Sequence, residues 1–436
     1  MILWIDSIEV SAGYCRRVLE ISRGEKSMKK KISVLALASI FAAGSAMASG
    51  WRIPEQSVDS TAKAGANIAS AKRADAAYFN PANMAWMEDT WHMQVNATYI
   101  YLSEIDYEDD RSGTLDGNSE EENFFVPTGF VVSPSYGGAR FGLAVTAPGG
   151  LTKRWKDDYA SSFAEKFSLE VIEVNPTVAF GGDMFSFAFG PRILYANAEV
   201  RSNGYDAGIE AARDMEDDVI RWGWNVAAAV KPTEESNISV TYRSKVDLNF
   251  SDDAKLSYGP NPGSPFLNQT YSSFVSVPLP AVASLSVAYD FLPNLNVDFT
   301  YDRTFWSDYD ELDFNFYPQT PGNPFEPAQE RDWDDTNAFR IGVTYEMNQT
   351  WTLMGGFAYD ENPAPAENIG FELPDSDAWI YSVGVQYKVN ENMDVGMAAL
   401  YDYKESRDVE SKDGIVDGEF TDASAVLISV GMNYKF

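Results

Sequence analysis

His92 and Cys15 are the only histidine and the only cysteine in this 436-residue chain. A serine hydrolase of the membrane type needs a histidine beside its nucleophile. His92 is followed by Met93 and Gln94 near the end of an alternating segment, not by any nucleophile motif. One cysteine cannot form an internal disulfide or a CxxC zinc site, and one histidine cannot build a His-rich metal centre. The residue types therefore point away from an enzyme, and no cofactor or metal is expected. Charge removes another class: 33 Lys and Arg face 65 Asp and Glu, a formal net charge of -32. Nucleic acid is excluded as a partner, because phosphate backbones are held by clustered cations.

The N-terminus reads as an address. Lys29, Lys30 and Lys31 precede an apolar run from Ile32 to Ala43, and Ala46-Met47-Ala48 follows. That is the order of a secretory signal, and cleavage after Ala48 would leave an exported chain without cysteine. Residues 1–27 are read as an extension from a start placed too early, with Met28 opening a signal peptide over 28–48.

Most of the body alternates with a period of two. Val426, Ile428, Val430, Met432, Tyr434 and Phe436 share one face of a C-terminal strand, with Ser429, Asn433 and Lys435 on the other. The same pattern recurs from Trp351, Trp379 and Met393, and across segments beginning near residues 92, 124, 140, 163, 184, 220, 238, 281, 295 and 339. Fourteen strands result, an even number suited to a closed bacterial barrel with aromatic residues near the strand ends. No apolar run outside the N-terminus is long enough for a membrane helix. Short connections such as 232–235 and 292–294 are assigned to the periplasm. Long acidic ones, 104–122, 152–162, 201–218, 251–277, 304–335, 361–377 and 405–422, are assigned to the outside. Their charge reads first as solvated surface, and second as a site for cation bridging to outer-membrane lipid.

Residues 49–90 do not alternate and are rich in alanine, among them Ala62, Ala64, Ala66, Ala69, Ala71, Ala74, Ala76 and Ala77. Short helices are expected there, then a turn at Asn80-Pro81-Ala82, where proline fixes one φ and biases Asn80 away from helix. The segment is either a periplasmic tail or a plug inside the barrel of residues 91–436.

Glu55-Gln56-Ser57 followed by Asn80-Pro81-Ala82 resembles the hatch of the FadL family, outer-membrane transporters of long-chain fatty acids and other hydrophobic molecules. Asn175-Pro176-Thr177, Thr241-Tyr242-Arg243, Leu279-Pro280, Phe305-Trp306-Ser307, Asp360-Glu361-Asn362-Pro363 and Leu373-Pro374-Asp375 follow in the family's order. The resemblance implies an all-β fold, a fourteen-stranded antiparallel transmembrane barrel with a small N-terminal helical hatch in its lumen. It implies ligand-gated passive uptake, with capture between the third and fourth outer loops. Tyr205, Ile209 and Met215, on a helix-compatible stretch, and Leu256, Tyr258, Phe266, Leu267, Tyr271 and Phe274 are the matching apolar residues. Their alternative use is to pack on one another and order the loops. A lumen pocket beside the hatch and sideways exit into the bilayer complete the implied route. Exit in the family passes an inward kink in the third strand, which here carries Ala147, Pro148, Gly149 and Gly150; these four could instead open an outer loop. Met432, Tyr434 and Phe436 resemble the signal read by the barrel-assembly machinery during biogenesis. Inward Arg243, Lys245, Arg340 and Lys388 are expected to pair with Asp247, Asp298 or Asp394, or to hold a substrate carboxylate. An aromatic-hydrocarbon channel of the same family and a general diffusion porin are the competing functions. A porin has no need of the alanine-rich segment.

Overall fold

The computed structural model describes residues 50–206, 209–259 and 267–436, without the side chains of residues 158, 205, 206, 209 and 210. The extension, the signal segment, Cys15 and Phe266 lie outside the described residues.

Fourteen antiparallel strands close a barrel. In chain order they are His92–Leu102, Glu122–Val132, Ala139–Arg154, Lys166–Gly181, Phe185–Asp206 and Ile209–Val230. The seventh runs in three pieces, Ser236–Arg243, Val246–Phe250 and Asp253–Tyr258, and the eighth in two, Leu267–Leu279 and Ala281–Leu292. Leu295–Phe305, Thr336–Glu346, Trp351–Asp360, Ala378–Lys388, Met393–Lys404 and Ser424–Lys435 complete the set. The first strand pairs with the last from His92↔Lys435 to Leu102↔Ala425, so the sheet has no terminal edge to leave unpaired in hydrocarbon.

Alternation places the lipid face. Val95 and Tyr99 of the first strand point outward and are exposed, whereas Gln94, Asn96 and Thr98 point inward and are buried. Aromatic pairs mark both rims: Trp351 on Tyr387 at 4.7 Å on one side, Tyr359 on Trp379 at 4.8 Å on the other. Eight residues separate Trp351 from Tyr359, about 26 Å along an extended strand. That matches the height of an outer-membrane apolar band, about 25 Å.

Two outer segments differ from the expected loops. The ladder between the fifth and sixth strands runs unbroken from Phe185↔Val230 to Asp206↔Ile209, so most of 201–218 is sheet and none of its described residues is helical. Residues 253–258 and 267–279 are likewise strand. Beyond the bilayer the outward side chains meet water: Val200 and Ser202 are buried while Arg201 and Asn203 are exposed. A polar outward face hides the period of two from a hydropathy reading. A four-stranded cap built from Asp106–Asp109, Gly117–Asn118, Arg407–Glu410 and Asp417–Thr421 joins the first and last outer connections.

Residues 50–91 fill the lumen. They contain a helix Val58–Ala62, capped by Ser57 through a capping box, a second short helix Ala76–Phe79, and a 3-10 turn Pro81–Trp86 with proline in its first turn. The alanines serve close approach more than helix propensity. A Cβ on wall residue Gly356 would lie 2.2 Å from the carbonyl carbon of Lys63, and one on Gly384 would lie 2.4 Å from the Cβ of Ala62. Small residues on both surfaces let plug and wall touch backbone to backbone.

Candidate functional site

The wall of the barrel comes apart at one place. The second and third strands pair only from Val132↔Gly142 to Gly129↔Val145. Beyond Val145 the third strand follows the fourth alone, with a register shift between Thr146 and Gly149. Its burial pattern changes there from alternation to an unbroken buried run over residues 146–153. A strand buried on both faces has left the lipid-facing wall and bent inward. Pro148 has no N–H to give a ladder, and Gly149 and Gly150 offer no side chain to hold one. They therefore sit inside a strand, not at the start of an outer loop.

The plug takes the edge that the second strand gives up. Ile53 N–H donates to the Pro148 carbonyl at 3.1 Å, and Gly150 N–H donates to the Trp51 carbonyl at 2.9 Å. Above the gap the strands meet again: Glu120 N–H donates to the Arg154 carbonyl at 2.8 Å, and the Arg154 guanidinium grips Glu122. The result is a slot in the wall, bounded below by Gly129 and Val145 and above by Glu122 and Arg154.

The lumen is divided by polarity. On the outer side a buried apolar cluster includes Trp51, Leu151, Trp155, Tyr258, Tyr271, Trp306, Tyr309, Trp333 and Phe371. Trp51 of the plug packs at 4.6 Å on Trp306, 5.0 Å on Trp333 and 5.4 Å on Tyr309. A small pocket lies there, lined by Trp51, Leu151, Tyr309 and Trp333 together with the Arg331–Glu372 ion pair, with room at its centre for little more than one water. On the periplasmic side a vestibule of about 930 Å³ is lined by charged and polar groups, among them Asp59, Lys72, Arg73, Glu346, Lys388 and Glu391.

Ion pairs fix the plug and the inward face. Arg340 is buried against Asp360 at 2.5 Å and Asp302 at 3.2 Å, and donates to the Ala64 carbonyl of the plug. Arg73 of the plug bridges Asp59 at 2.8 Å and Asp394 at 3.4 Å. Arg243 pairs with Glu173, which Arg192 also holds at 2.8 Å. Lys245 does pair with Asp247, at 3.2 Å, but Asp298 accepts from Ser70 of the plug and from Ser286. Lys388 lines the vestibule. The pairings expected within the wall are thus partly taken over by the plug, whose alignment with the wall no spacing in the sequence reveals.

Asn80 Nδ2 donates to the Ile68 carbonyl at 3.2 Å and to Ser239 Oγ of the seventh strand at 2.9 Å, and Ala82 is fully buried. The turn at Pro81 thereby ties the plug to the wall. Met215, Leu256, Tyr258 and Tyr271 are buried in the outer cluster instead of standing at exposed loop tips; Leu267 is half-buried and Phe274 exposed. The side chains of Tyr205 and Ile209 lie outside the described set. His92 sits at the vestibule rim, its Nε2 3.0 Å from the Glu88 carbonyl oxygen. Phe436 stacks on Trp91 at 6.3 Å and exchanges both backbone hydrogen bonds with it. Tyr434 beside it is also exposed, and Met432 half-buried. Sequence reasoning missed Arg213, which reaches the faces of Phe314 and Phe325 at 4.9 and 5.4 Å, because a single arginine in an acidic stretch gives no signal.

Comparison with known proteins agrees with this architecture. A family model described as outer membrane protein transport protein (OMPP1/FadL/TodX) matches residues 39–436. The chain is 25% identical over 447 residues to a long-chain fatty acid transport protein of Escherichia coli O6:H1, covering 93% of this chain and 98% of that one. It is 25% identical over 463 residues to outer membrane protein P1 of Haemophilus influenzae, covering 93% and 99%. Among solved structures, a Pseudomonas aeruginosa FadL homologue superposes with a TM-score of 0.79 at 20% identity, over 89% of this chain and all of that one. The P. putida toluene transporter TodX superposes with a TM-score of 0.70 at 16% identity, over 87% and 98%. With a family match across the whole barrel and plug, the chain belongs to the outer membrane protein transport family (OMPP1/FadL/TodX), and its closed barrel lies in the bacterial outer membrane.

Proposed function

We propose that the protein takes up long-chain fatty acids or similar hydrophobic molecules by passive diffusion. Cargo is captured at the outer ends of the sixth to eighth strands, moves into the aromatic cluster around Trp51, and leaves sideways between the second and third strands. The observation that carries this reading is the slot between Gly129–Val145 and Glu122–Arg154, set beside an apolar outer lumen that ends at a charged vestibule. An acyl chain gains about 0.8 kcal/mol for each buried methylene, so it is stabilised in the outer cluster and in the bilayer but not in the vestibule. The low-energy path between the two apolar regions runs through the wall.

Arg213 favours cargo that carries an acid. Among the described residues it forms no ion pair, and the Glu372 carboxylate, whose charge reaches it from further off, is paired with Arg331. Its contacts are two aromatic faces and the Phe163 carbonyl at 3.3 Å, and its Nε is buried without a partner. A guanidinium in an apolar setting is costly unless an anion meets it. A fatty acid carboxylate supplies one and toluene does not.

The test is uptake of labelled oleate and of labelled toluene by cells lacking their own transporters and expressing residues 28–436, with folding checked by heat-modifiable gel mobility. Restored oleate uptake supports the reading. Toluene uptake alone moves the protein to the aromatic-hydrocarbon branch, and high small-ion conductance in planar bilayers moves it to the porins.

A further inference from the structure

Among the described residues of the plug, Gln56 is the one whose bonds reach both lips of the slot. Its carboxamide Nε2 donates to the Ala147 carbonyl at 2.8 Å while its Oε1 accepts from Ala147 N–H at 2.9 Å. Its own backbone carbonyl accepts from Thr128 Oγ1 of the second strand at 2.7 Å. The Nε2 also donates to the Ile53 carbonyl at 2.8 Å, which locks the rotamer, and the side chain is buried. A primary amide carries one donor and one acceptor on the same edge, as the N–H and C=O of a single strand residue do in a hydrogen-bonded antiparallel pair. At Ala147, where the ladder to the second strand has ended, the Gln56 side chain supplies the missing rung.

The wall on either side explains why the rung matters. Ala147 and Pro148 fall within the register shift between the third and fourth strands and have no ladder partner on that side either. The neighbouring plug contacts, Ile53 to Pro148 and Trp51 to Gly150, are single backbone bonds. Gln56 therefore holds the bend from the lumen side while its carbonyl anchors the opposite lip.

We propose that Gln56 is the bolt of the lateral opening: a positioning residue whose carboxamide bonds to Ala147 hold the slot shut and must break for it to open. This rests on sideways exit as the transport route. Glutamine is suited to the task where glutamate and methionine are not. Ionised glutamate is of equal size but has no donor for the Ala147 carbonyl, whereas its protonated acid would restore one, and methionine fills the space with neither group. Either change leaves the Thr128 bond to the backbone carbonyl in place, so the anchor on the second strand stays while the rung to Ala147 and the Nε2 bond to the Ile53 carbonyl are lost.

The experiment reads the slot directly, without cargo. Residues 28–436 contain no cysteine, so Val126→Cys introduces a single thiol on the second-strand lip, where Val126 is buried with Ile53 and Ala147. Purified barrels in lipid vesicles are treated with a lipid-soluble maleimide, in the Gln56, Gln56→Met and Gln56→Glu backgrounds, with heat-modifiable mobility confirming that each is folded. Gln56→Met, which loses all three carboxamide bonds, is expected to raise the labelling rate at least about tenfold, and Gln56→Glu to do so when its carboxylate is ionised. Wild-type labelling in Gln56→Met overturns the proposal, whatever Gln56→Glu does. Oleate uptake is measured on the same variants. Faster labelling without faster uptake upholds the bolt and counts against sideways exit.

Discussion

Arg154 of the third strand holds Glu122 of the second by two parallel bonds, Nε to Oε1 at 2.7 Å and Nη2 to Oε2 at 2.8 Å. This fork closes the upper end of the slot. Below it, residues 123–128 of the second strand face no ladder partner on the third-strand side, a length of about 20 Å. Arg154 is 41% exposed, so the pair is screened and contributes about 1 kcal/mol. Arg154→Ala is therefore expected to lengthen the slot and speed uptake of bulky branched acids about fivefold, while oleate changes less than twofold. Parallel uptake assays decide it; an equal gain for both cargoes removes the size-limiting role.

The proposed lateral route also makes the bend a point of control. Replacing Ala147 to Gly150 with Val-Thr-Val-Thr restores the missing ladder donor at position 148 and adds side chains suited to a wall strand. A Cβ at Gly149 also lies 3.1 Å from the Trp51 carbonyl oxygen, so the plug must shift by a few tenths of an ångström on that edge. Uptake is expected to fall more than tenfold with heat-modifiable mobility unchanged. Wild-type uptake in this variant sinks the lateral route.

Asn80 and Pro81 act on the other end of the plug. Asn80→Ala loses the bond to Ser239 and leaves the Ile68 carbonyl with one donor fewer, about 1 to 3 kcal/mol of anchoring. Pro81→Ala frees a φ that the turn uses and costs about 1 kcal/mol. Both are expected to lower uptake while the barrel still inserts, Asn80→Ala by the larger factor and with raised single-channel conductance. Closed channels in Asn80→Ala would show that the tie to the seventh strand is dispensable.

The barrel was legible because lipid enforces it. Where the outward side chain must be apolar, as at Val95 and Tyr99, period two is plain in the sequence. Where the same strand rises into water, as at Arg201 and Asn203, the outward residue turns polar and the period fades. The plug was legible as an exception to alternation and through Asn80-Pro81-Ala82, yet its partners were not. Arg73 to Asp394 and Gln56 to Ala147 join residues 321 and 91 positions apart, and a lone charge or amide carries no mark of its distant partner. The kink was legible only as permission: Pro148-Gly149-Gly150 allows a break in pairing, and it took the register to place that break inside a strand.

The last strand offers a test of biogenesis apart from transport. Phe436 stacks between Trp91 and Tyr434, with centroids 6.3 and 5.8 Å away, and is largely exposed. The ring thus contributes little buried area to the closed barrel, so a large loss on deleting it would point to the assembly-signal role that the resemblance implies. Deleting Phe436 is expected to cut the folded yield several-fold in cells, with less effect on refolding in detergent. An unchanged cellular yield refutes the signal role, and equal losses in both settings reduce it to closure of the first and last strands.

The outer cap has its own dependence on acid. Burial pushes the Asp109 carboxyl up, but the Arg111 guanidinium, the Tyr107 hydroxyl and the backbone N–H groups of Arg111 and Ser112 outweigh it and hold the group at about 2. A carboxylate below its ordinary value, 3.8, stabilises the fold above that value, and the gain is lost as pH falls through about 2. The cap strand Asp106–Asp109 should therefore loosen in strong acid while the membrane wall stays intact. Asp109→Asn removes the charge at every pH, so it is expected to weaken the cap by about 2 kcal/mol at pH 7 and to match wild type near pH 2. Amide exchange of Tyr107 and Phe420 across that range reads the difference, because both rings pack in the cap at 4.9 Å from one another. A constant gap between variant and wild type down to pH 2 would assign the effect to lost packing rather than to charge.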